Sequence, residues 1–182
     1  MSEEYLIREC SPTLAGLKTG NLFSYPSEEK AEQTGSFRRL NALLVPRGIR
    51  LVPMKTGENR TLVYLYRPER LQKDLQQELS QKLLRERNYP VEDADRCVAE
   101  LRRRLCRGES FPHEVGLFLG YPPGDVRGFL THKAAKACAI GTWKVYENPQ
   151  TAQRLFERYR KCTRVYRDVY ARHRNLSRLI VR

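Results

Sequence analysis

The segment from Ile49 to Pro68 constrains the fold more than any other part of this 182-residue chain. It reads IRLVPMKTGENRTLVYLYRP, two apolar and β-branched arms separated by the turn-forming residues TGEN at 56–59. This pattern predicts a β-hairpin. In the second arm both alternating sets of side chains are apolar, which predicts a central strand buried on both faces, whereas Pro53 places the first arm at an edge.

Helical periodicity dominates the rest of the sequence. Apolar residues recur every three or four positions in 71–83, 94–105 and 155–169, and each run predicts a helix with one buried face. We therefore predict an α+β protein, a single domain over residues 1–182, with a small, mostly antiparallel or mixed sheet of about four strands covered by roughly six or seven helices. The other predicted elements are a helix near 2–10, helices beginning at Ser27 and Ser36, and strands at 13–17, 138–147 and 176–181.

The positive charge of the chain is unevenly distributed. Lys and Arg number 34 against 21 Asp and Glu, a net charge of +13. Residues 1–100 are nearly balanced, with 16 basic against 15 acidic side chains, whereas residues 151–182 hold 10 against 2. A localised positive field attracts anions. We therefore expect the partner to be an anionic small ligand, an acidic protein or nucleic acid.

Hydropathy and cysteine usage indicate a cytoplasmic protein. No apolar run is long enough to cross a membrane, and the first ten residues, MSEEYLIREC, are acidic and lack the apolar core of a signal peptide. The five cysteines, at 10, 97, 106, 138 and 162, are odd in number and contain no C-x-x-C pair. This spacing favours free thiols in a reducing compartment over a disulfide framework or a zinc site, so no metal ligands are assigned.

Residues 111–130, FPHEVGLFLGYPPGDVRGFL, combine apolar side chains with glycines and prolines. His113 does not begin a zinc-peptidase motif, because the position four residues later is Leu117 rather than histidine. The spacing of Gly116 and Gly120 instead predicts two short helices joined by a tight turn, a helix-turn-helix-like αα-corner over 112–133. Few polar side chains on the second helix are suited to reading bases, which favours a corner that packs over one that binds DNA.

The predicted C-terminal helix carries nearly all of its charge with one sign. Arg158, Lys161 and Arg164 flank its apolar stripe, and tyrosines alternate with the basic residues. Like charges three or four residues apart repel one another, so a bound anion would stabilise this helix. The tyrosines suit either stacking on a base or ring or ordinary packing in the core.

A second candidate site lies in residues 10–18, CSPTLAGLK. Its small residues permit close approach of the backbone, and the Thr13 hydroxyl and the Lys18 ammonium are suited to a phosphate or carboxylate. A neighbouring lysine would also lower the pKa of Cys10 and make this thiol nucleophilic. The alternative is a tight turn that needs small residues for steric reasons alone, since no standard phosphate-binding motif is present.

Three segments together resemble a bacterial family of uncharacterised proteins, a domain of unknown function: CSPTLAGLKTGNLF, FPHEVGLFLGYPPGDVRGF and GTWKVYENPQTAQRLFERYRKCTRVY. The resemblance spans nearly the whole chain and implies no particular activity or cofactor. In such relatives the segment before the tryptophan is richer in cysteine, whereas this chain has only Cys138 there. The resemblance therefore implies that a thiol cluster for metal or redox work is not retained.

The sequence favours a protein that binds an anionic small ligand or cofactor in a basic pocket, with redox or transfer chemistry allowed but no reaction specified. Residues 10–18, the region of His113 and the strand that contains Trp143 are expected to form this pocket. Nucleic-acid binding through the corner and the basic helix is one alternative, and an adaptor for an acidic protein is another. The candidate catalytic residues are His113 and Cys10, and the candidate ligand-binding residues are Thr13, Lys18, Trp143, Lys144, Arg158, Lys161 and Arg164.

Overall fold

The computed structural model describes residues 1–27, 29–108, 110–133 and 135–181, with only the backbone described for Lys30. The chain divides into two compact units, Met1–Glu69 with Lys161–Arg182, and Arg70–Arg160. The predicted α+β class is confirmed, because the described residues form eight α-helices, a three-stranded antiparallel sheet and a two-stranded sheet. The boundary of a single domain over 1–182 stays a prediction.

The three-stranded sheet belongs to the first unit. It consists of β1 (Gly20–Pro26), β2 (Arg50–Thr56) and β3 (Arg60–Tyr66) in the order β1-β3-β2, with both pairings antiparallel. The hairpin and the central position of its second arm are therefore confirmed. In β3, Val63, Tyr64 and Leu65 are all fully buried, which explains why neither face of this strand is polar in the sequence. The edge strand β2 is irregular between Pro53 and Lys55, where the pairing register shifts.

Two helices, α1 (Glu3–Leu14) and α2 (Lys30–Leu44), pack against this sheet. Short 3-10 helices follow at Val45–Arg47 and at Leu176–Leu179. The last part of α8 (Pro149–His173) also belongs to the first unit, and its partly buried side chains pack against the same core. The largest core side chains are Leu6, Ile7, Leu14, Phe23, Tyr25, Phe37, Leu40, Leu44, Ile49, Leu51 and Leu65.

Helix α1 continues into residues that were predicted to form a strand. The strand expected at 13–17 is wrong, because the helix continues past Pro12 to Leu14. Pro12 lacks an N–H that could donate within the helix, and the Arg67 side chain supplies donors to the carbonyl oxygens at the helix end. The Arg67 guanidinium donates to the carbonyl oxygens of Thr13 at 2.8 Å and of Leu14 at 2.9 Å. A long-range side-chain cap of this kind leaves no local signal in the sequence.

Two further predictions for the first unit are wrong. Helix α2 runs without interruption through Gly35, so Ser36 begins no helix of its own. Gly35 does not interrupt the helix. A methyl group at this position would meet no other atom, so close packing does not require a glycine there. Residues 176–181 were expected to form a strand, but Leu176–Leu179 form a 3-10 helix.

The second unit contains mainly helices. Helices α3 (Pro68–Leu75) and α4 (Glu78–Arg85) replace the one helix expected over 71–83, and α5 (Ala94–Arg107) matches its prediction. The Asp93 carboxylate caps α5 by accepting hydrogen bonds from the first-turn amides of Asp95 and Arg96. The remaining elements are α6 (Val115–Phe118), α7 (Pro123–His132), β4 (Ala139–Ile140), β5 (Lys144–Val145) and the first part of α8.

The strand predicted over 138–147 is only partly right. Its two ends pair with each other as β4 and β5, a two-residue antiparallel hairpin with Ala139 opposite Val145. The intervening residues carry Gly141, whose position leaves no room for a side chain beside Phe156. Among the described residues no helix is both long and apolar enough to cross a lipid bilayer.

Candidate functional site

The predicted αα-corner is present in the second unit as α6, a tight turn and α7. The turn contains Gly120 with a left-handed φ of 73°, and the Tyr121 amide donates to the carbonyl of Gly116 at 3.0 Å. A methyl group on Gly116 would lie 2.8 Å from Val126 Cγ2 and 3.1 Å from Tyr121 Cδ2. The glycine is therefore required for the two helices to approach, as the packing interpretation of the corner predicted.

Asp125 joins α7 to the β4–β5 hairpin. Its Oδ2 accepts a hydrogen bond from the indole Nε1 of Trp143 at 2.7 Å. Its Oδ1 accepts from the backbone amides of Tyr146 at 2.7 Å and Glu147 at 3.1 Å. The side chain is buried, with 4% exposed, so three donors satisfy a charge that has little access to water. This carboxylate fixes the position and orientation of Trp143.

A cavity of about 240 Å³ opens between the corner and the hairpin. The Trp143 indole forms one wall, stacked on Tyr121 with ring centroids 4.9 Å apart and edge-on to Phe156 at 4.6 Å. The lining is mostly apolar and aromatic, which is typical of sites for small molecules. We call it the aromatic cavity, and its lining residues are His113, Val115, Gly116, Tyr121, Asp125, Val126, Phe129, Trp143 and Lys144.

Two of the predicted site residues supply the polar groups of the aromatic cavity beside Asp125. The His113 imidazole is exposed and meets the Phe129 ring edge-on, with centroids 4.9 Å apart. Lys144 is half-buried, and its ammonium lies 5.5 Å from the centroid of the same ring. His113, Trp143 and Lys144 are therefore brought together around one cavity, although the sequence separates the first from the others by thirty residues.

Cys10, Thr13 and Lys18 lie in the first unit, where they are almost completely buried. The Thr13 hydroxyl donates to Asn21 Oδ1 at 2.7 Å. Burial lowers the pKa of Lys18 to about 8. Burial also raises the pKa of Cys10 well above its ordinary value, and the opposing effect of Lys18 is smaller. The net effect is opposite to the thiol activation predicted from the sequence, and the roles of these three residues stay predictions.

The three basic residues predicted on the last helix are exposed. Arg158 lies on the part of α8 in the second unit, whereas Lys161 and Arg164 lie on the part in the first unit. None of them lines the aromatic cavity. Within the described ranges none pairs with an acidic side chain at ion-pair distance. The aromatic cavity therefore gives no support to the ligand-binding role predicted for these three residues.

The face of α7 that a DNA-binding corner would present is covered only in part within the second unit, and its residues Arg127, Thr131 and Lys133 are exposed. Asp125, one of its few polar residues, is buried against the hairpin. A side-chain atom at Gly124 would overlap the Glu147 carboxylate, and one at Gly128 would overlap the Tyr146 ring. Close packing of this kind favours a structural corner over base reading.

The cysteines do not form a disulfide, and no cluster of three or more metal-ligating side chains occurs in the part of the chain that the structure describes. Cys10 and Cys97 are buried, Cys162 is half-buried, and Cys106 and Cys138 are exposed. The expectation that the free thiols are buried therefore holds for some of them only. Cys10 and Cys162 belong to the first unit and Cys138 to the second.

The sequence did not reveal the part played by Asp125, Tyr121 and Phe129. One available signal was the single tryptophan, because a buried indole N–H requires an acceptor. Tyr121 and Phe129 are aromatic residues on either side of the glycine-rich turn. No local pattern distinguishes aromatic residues that line a cavity from those that fill a core.

These features define a class: an α+β protein whose second unit holds an aromatic cavity edged by a histidine and a lysine. The model of the family described as "Protein of unknown function (DUF3793)" matches residues 6–180, and the chain belongs to this family. The resemblance drawn from the three sequence segments is thereby confirmed. No curated protein and no solved structure matches the chain.

Proposed function

We propose that the chain binds a small anionic ligand with a flat apolar portion in the aromatic cavity. The observation that carries this proposal is the convergence of His113, Trp143 and Lys144 on one concave, largely apolar surface. Stacked and edge-on rings offer a flat ligand extensive contact. The Lys144 ammonium provides a positive charge for an anionic group, and because it is half-buried its attraction is screened less than that of a fully exposed lysine.

His113 is the group best placed for chemistry on such a ligand. It is exposed at the cavity, and an imidazole is the side chain most often used as a general acid or base. No serine, threonine or cysteine is among the described residues that line the aromatic cavity. The arrangement therefore supports binding, with proton transfer by His113 as the form of catalysis that we propose.

Trp143 is the only tryptophan in the chain, so its emission reports directly on the cavity. Naphthalene-1-sulfonate and neutral 1-naphthol serve as a pair of probes. Both are expected to quench or shift Trp143 emission, the anion more tightly. Lys144→Gln should remove the preference for the anion, whereas the exposed Lys136→Gln should leave it unchanged. Unchanged emission with both probes would refute the proposal, and native mass spectrometry of the purified chain would identify a retained natural ligand.

A nucleic-acid partner is the second candidate, and it rests on α8 rather than on the corner. Arg158, Lys161 and Arg164 are exposed and have no acidic partner at ion-pair distance within the described ranges. Binding to a polyanion through such residues weakens steeply as salt rises. A fluorescein-labelled oligonucleotide titrated at several salt concentrations measures this slope, and an affinity independent of salt would exclude the α8 mode.

A further inference from the structure

A second cavity of the same unit, about 450 Å³ in volume, shares His113 with the aromatic cavity. Four guanidinium groups line it, from Arg87, Arg103, Arg104 and Arg107. We call it the arginine cavity. The His113 ring lies between the two, edge-on to Phe129 of the aromatic cavity and 5.7 Å from the Phe111 ring of the arginine cavity.

Neighbouring side chains and backbone hold the guanidinium groups of Arg87, Arg103 and Arg104 in place. Arg104 Nε donates to Glu100 Oε1 at 2.7 Å, its Nη2 donates to the carbonyl of Arg87, and its guanidinium lies 4.2 Å above the Tyr89 ring. Arg103 holds the same Glu100 carboxylate with two hydrogen bonds of 2.6 and 2.5 Å. Arg87 Nη1 donates to the carbonyl of Leu83 at 3.0 Å. Little side-chain entropy remains to be lost when an anion binds.

Three carboxylates belong to this network. The Glu86 carboxylate lies 3.7 Å from Arg87. The hydrogen bonds from Arg103 and Arg104 lower the pKa of Glu100 to about 2, so this group stays ionised. Glu114 is buried, accepts a hydrogen bond from the Tyr89 hydroxyl at 2.9 Å, and lies 3.5 Å from Arg104 and 4.0 Å from Arg87. These contacts orient the arginines and neutralise part of their charge.

Four arginines line the described part of the cavity, and three carboxylates, from Glu86, Glu100 and Glu114, lie within ion-pair distance of three of them. Among the described residues an excess of one positive charge therefore remains. Arg107 is exposed at the end of α5 and pairs with no acidic side chain in the described part of the chain. The Ser110 hydroxyl adds a neutral donor. Guanidinium groups bind phosphoryl groups through charge-assisted hydrogen bonds. The three oxygens of a phosphoryl group can accept from Arg107 and from the Ser110 hydroxyl at the same time.

We propose that the arginine cavity binds a phosphoryl group, and that the ligand of the aromatic cavity is a phosphorylated compound with a flat ring. The second half of this statement rests on the proposed function, whereas the first half does not. The ring lies in the aromatic cavity, the phosphoryl group lies among the arginines, and His113 lies beside the connection between them. A phosphorylated heterocycle such as a nucleotide has the required chemistry.

Three probes separate the two halves on the full-length chain. Adenosine and AMP are titrated against Trp143 emission, and inorganic pyrophosphate is titrated by calorimetry. The test variant is Arg107→Gln, because Arg107 has the fewest structural contacts of the four. The matched control is Arg102→Gln, an exposed arginine of the same helix that does not line the cavity. Far-UV circular dichroism and urea midpoints confirm that both variants fold.

We expect AMP to bind about tenfold or more tightly than adenosine, the gain typical of one charge-assisted interaction. Arg107→Gln should remove most of this gain and weaken pyrophosphate to a similar extent, while Arg102→Gln changes neither. Equal affinity for adenosine and AMP, together with pyrophosphate binding that Arg107→Gln leaves unchanged, would overturn the phosphoryl site and leave the aromatic cavity standing. Pyrophosphate binding that depends on Arg107, with Trp143 emission unaffected by either nucleoside, would support the phosphoryl site and refute the aromatic one.

Discussion

Replacing Asp125 with asparagine should destabilise the second unit although it scarcely alters the shape of the side chain. An asparagine oxygen in the place of Oδ1 still accepts from the amides of Tyr146 and Glu147. Its amide nitrogen then faces the indole N–H of Trp143, where the aspartate presents an acceptor. Two donors cannot bond to each other, and rotating the amide loses the two backbone bonds instead.

The expected loss of stability follows from the contacts removed. A hydrogen bond to a charged group contributes about 1.5–3 kcal/mol, and an unsatisfied buried donor costs roughly a further 1–3 kcal/mol. Because Trp143 is 7% exposed, water reaches its N–H poorly. We therefore expect Asp125→Asn to lower the free energy of unfolding by about 2–3 kcal/mol, and Asp125→Ala, which removes all three bonds, by about 4 kcal/mol.

A double-mutant cycle isolates the bond to the indole. Urea unfolding followed by far-UV circular dichroism gives the stability of the wild type, Asp125→Asn, Trp143→Phe and the double variant. Phenylalanine has no N–H, so Asp125→Asn should cost about 1.5–2 kcal/mol less in that background. A coupling energy near zero would refute the view that Asp125 holds Trp143. A cost below about 0.5 kcal/mol for Asp125→Asn in the wild type would refute the wider argument, since that is the size of an ordinary surface substitution.

Three further outcomes can be measured with the same protein. Lys18 loses its proton near pH 8 in the folded chain, and near its ordinary, higher pKa in the unfolded chain. The free energy of unfolding in urea should therefore rise for the wild type relative to Lys18→Met between about pH 8 and 10, by up to about 1.4 kcal/mol per pH unit. A difference between the two proteins that does not change with pH would contradict the lowered pKa. Gly116→Ala should cost about 1–3 kcal/mol through overlap in the corner, and an unchanged urea midpoint would show that the helices can separate. In the native state a thiol reagent should label the exposed Cys106 and Cys138 rapidly and Cys10 only on unfolding. If Cys10→Ser had one rapidly labelled thiol fewer than the wild type, the burial of Cys10 would be contradicted.

Much of the first unit could be predicted because its determinants are local. The uninterrupted run of apolar residues in β3 predicts burial on both faces of the strand. The central position observed for this strand agrees with that prediction. The turn at 56–59 lies between the paired arms as expected. Each of these features depends on residues within one hairpin, where spacing and turn chemistry are sufficient.

Elements were mispredicted where a distant side chain decides the outcome. A strand was predicted at 13–17, whereas α1 continues to Leu14, where Arg67, more than fifty residues away, supplies donors to its last carbonyls. In the 138–147 segment the Phe156 ring leaves no room for a side chain at position 141, so that position requires glycine. The segment forms a tight hairpin around Gly141 instead of one long strand. Propensity cannot anticipate contacts of this range.

The candidate site was predicted in part. His113, Trp143 and Lys144, which the sequence assigned to one pocket, line the same cavity, and their roles in binding stay predictions. The predicted first-unit contribution from Cys10, Thr13 and Lys18 has no counterpart in the aromatic cavity. Small residues in that segment serve burial, and the sequence alone does not distinguish close approach to a ligand from close approach to the protein core.

The count of charges along the chain did not predict where the proposed anion site lies. Residues 1–100 are nearly neutral in sum, yet Arg87 of that region lines the arginine cavity, together with arginines from the end of α5. A site for an anion depends on which charges are compensated where they lie in the fold, and on whether their positions are fixed. The exposed arginines of α8 are numerous, but a mobile exposed charge attracts an anion weakly and without selectivity. The arginine cavity has fewer charges, but Glu100 and Glu114 hold Arg103 and Arg104 there in defined orientations. The proposed selective recognition of a phosphoryl group is therefore better supported in this cavity than along α8, which has the larger net charge.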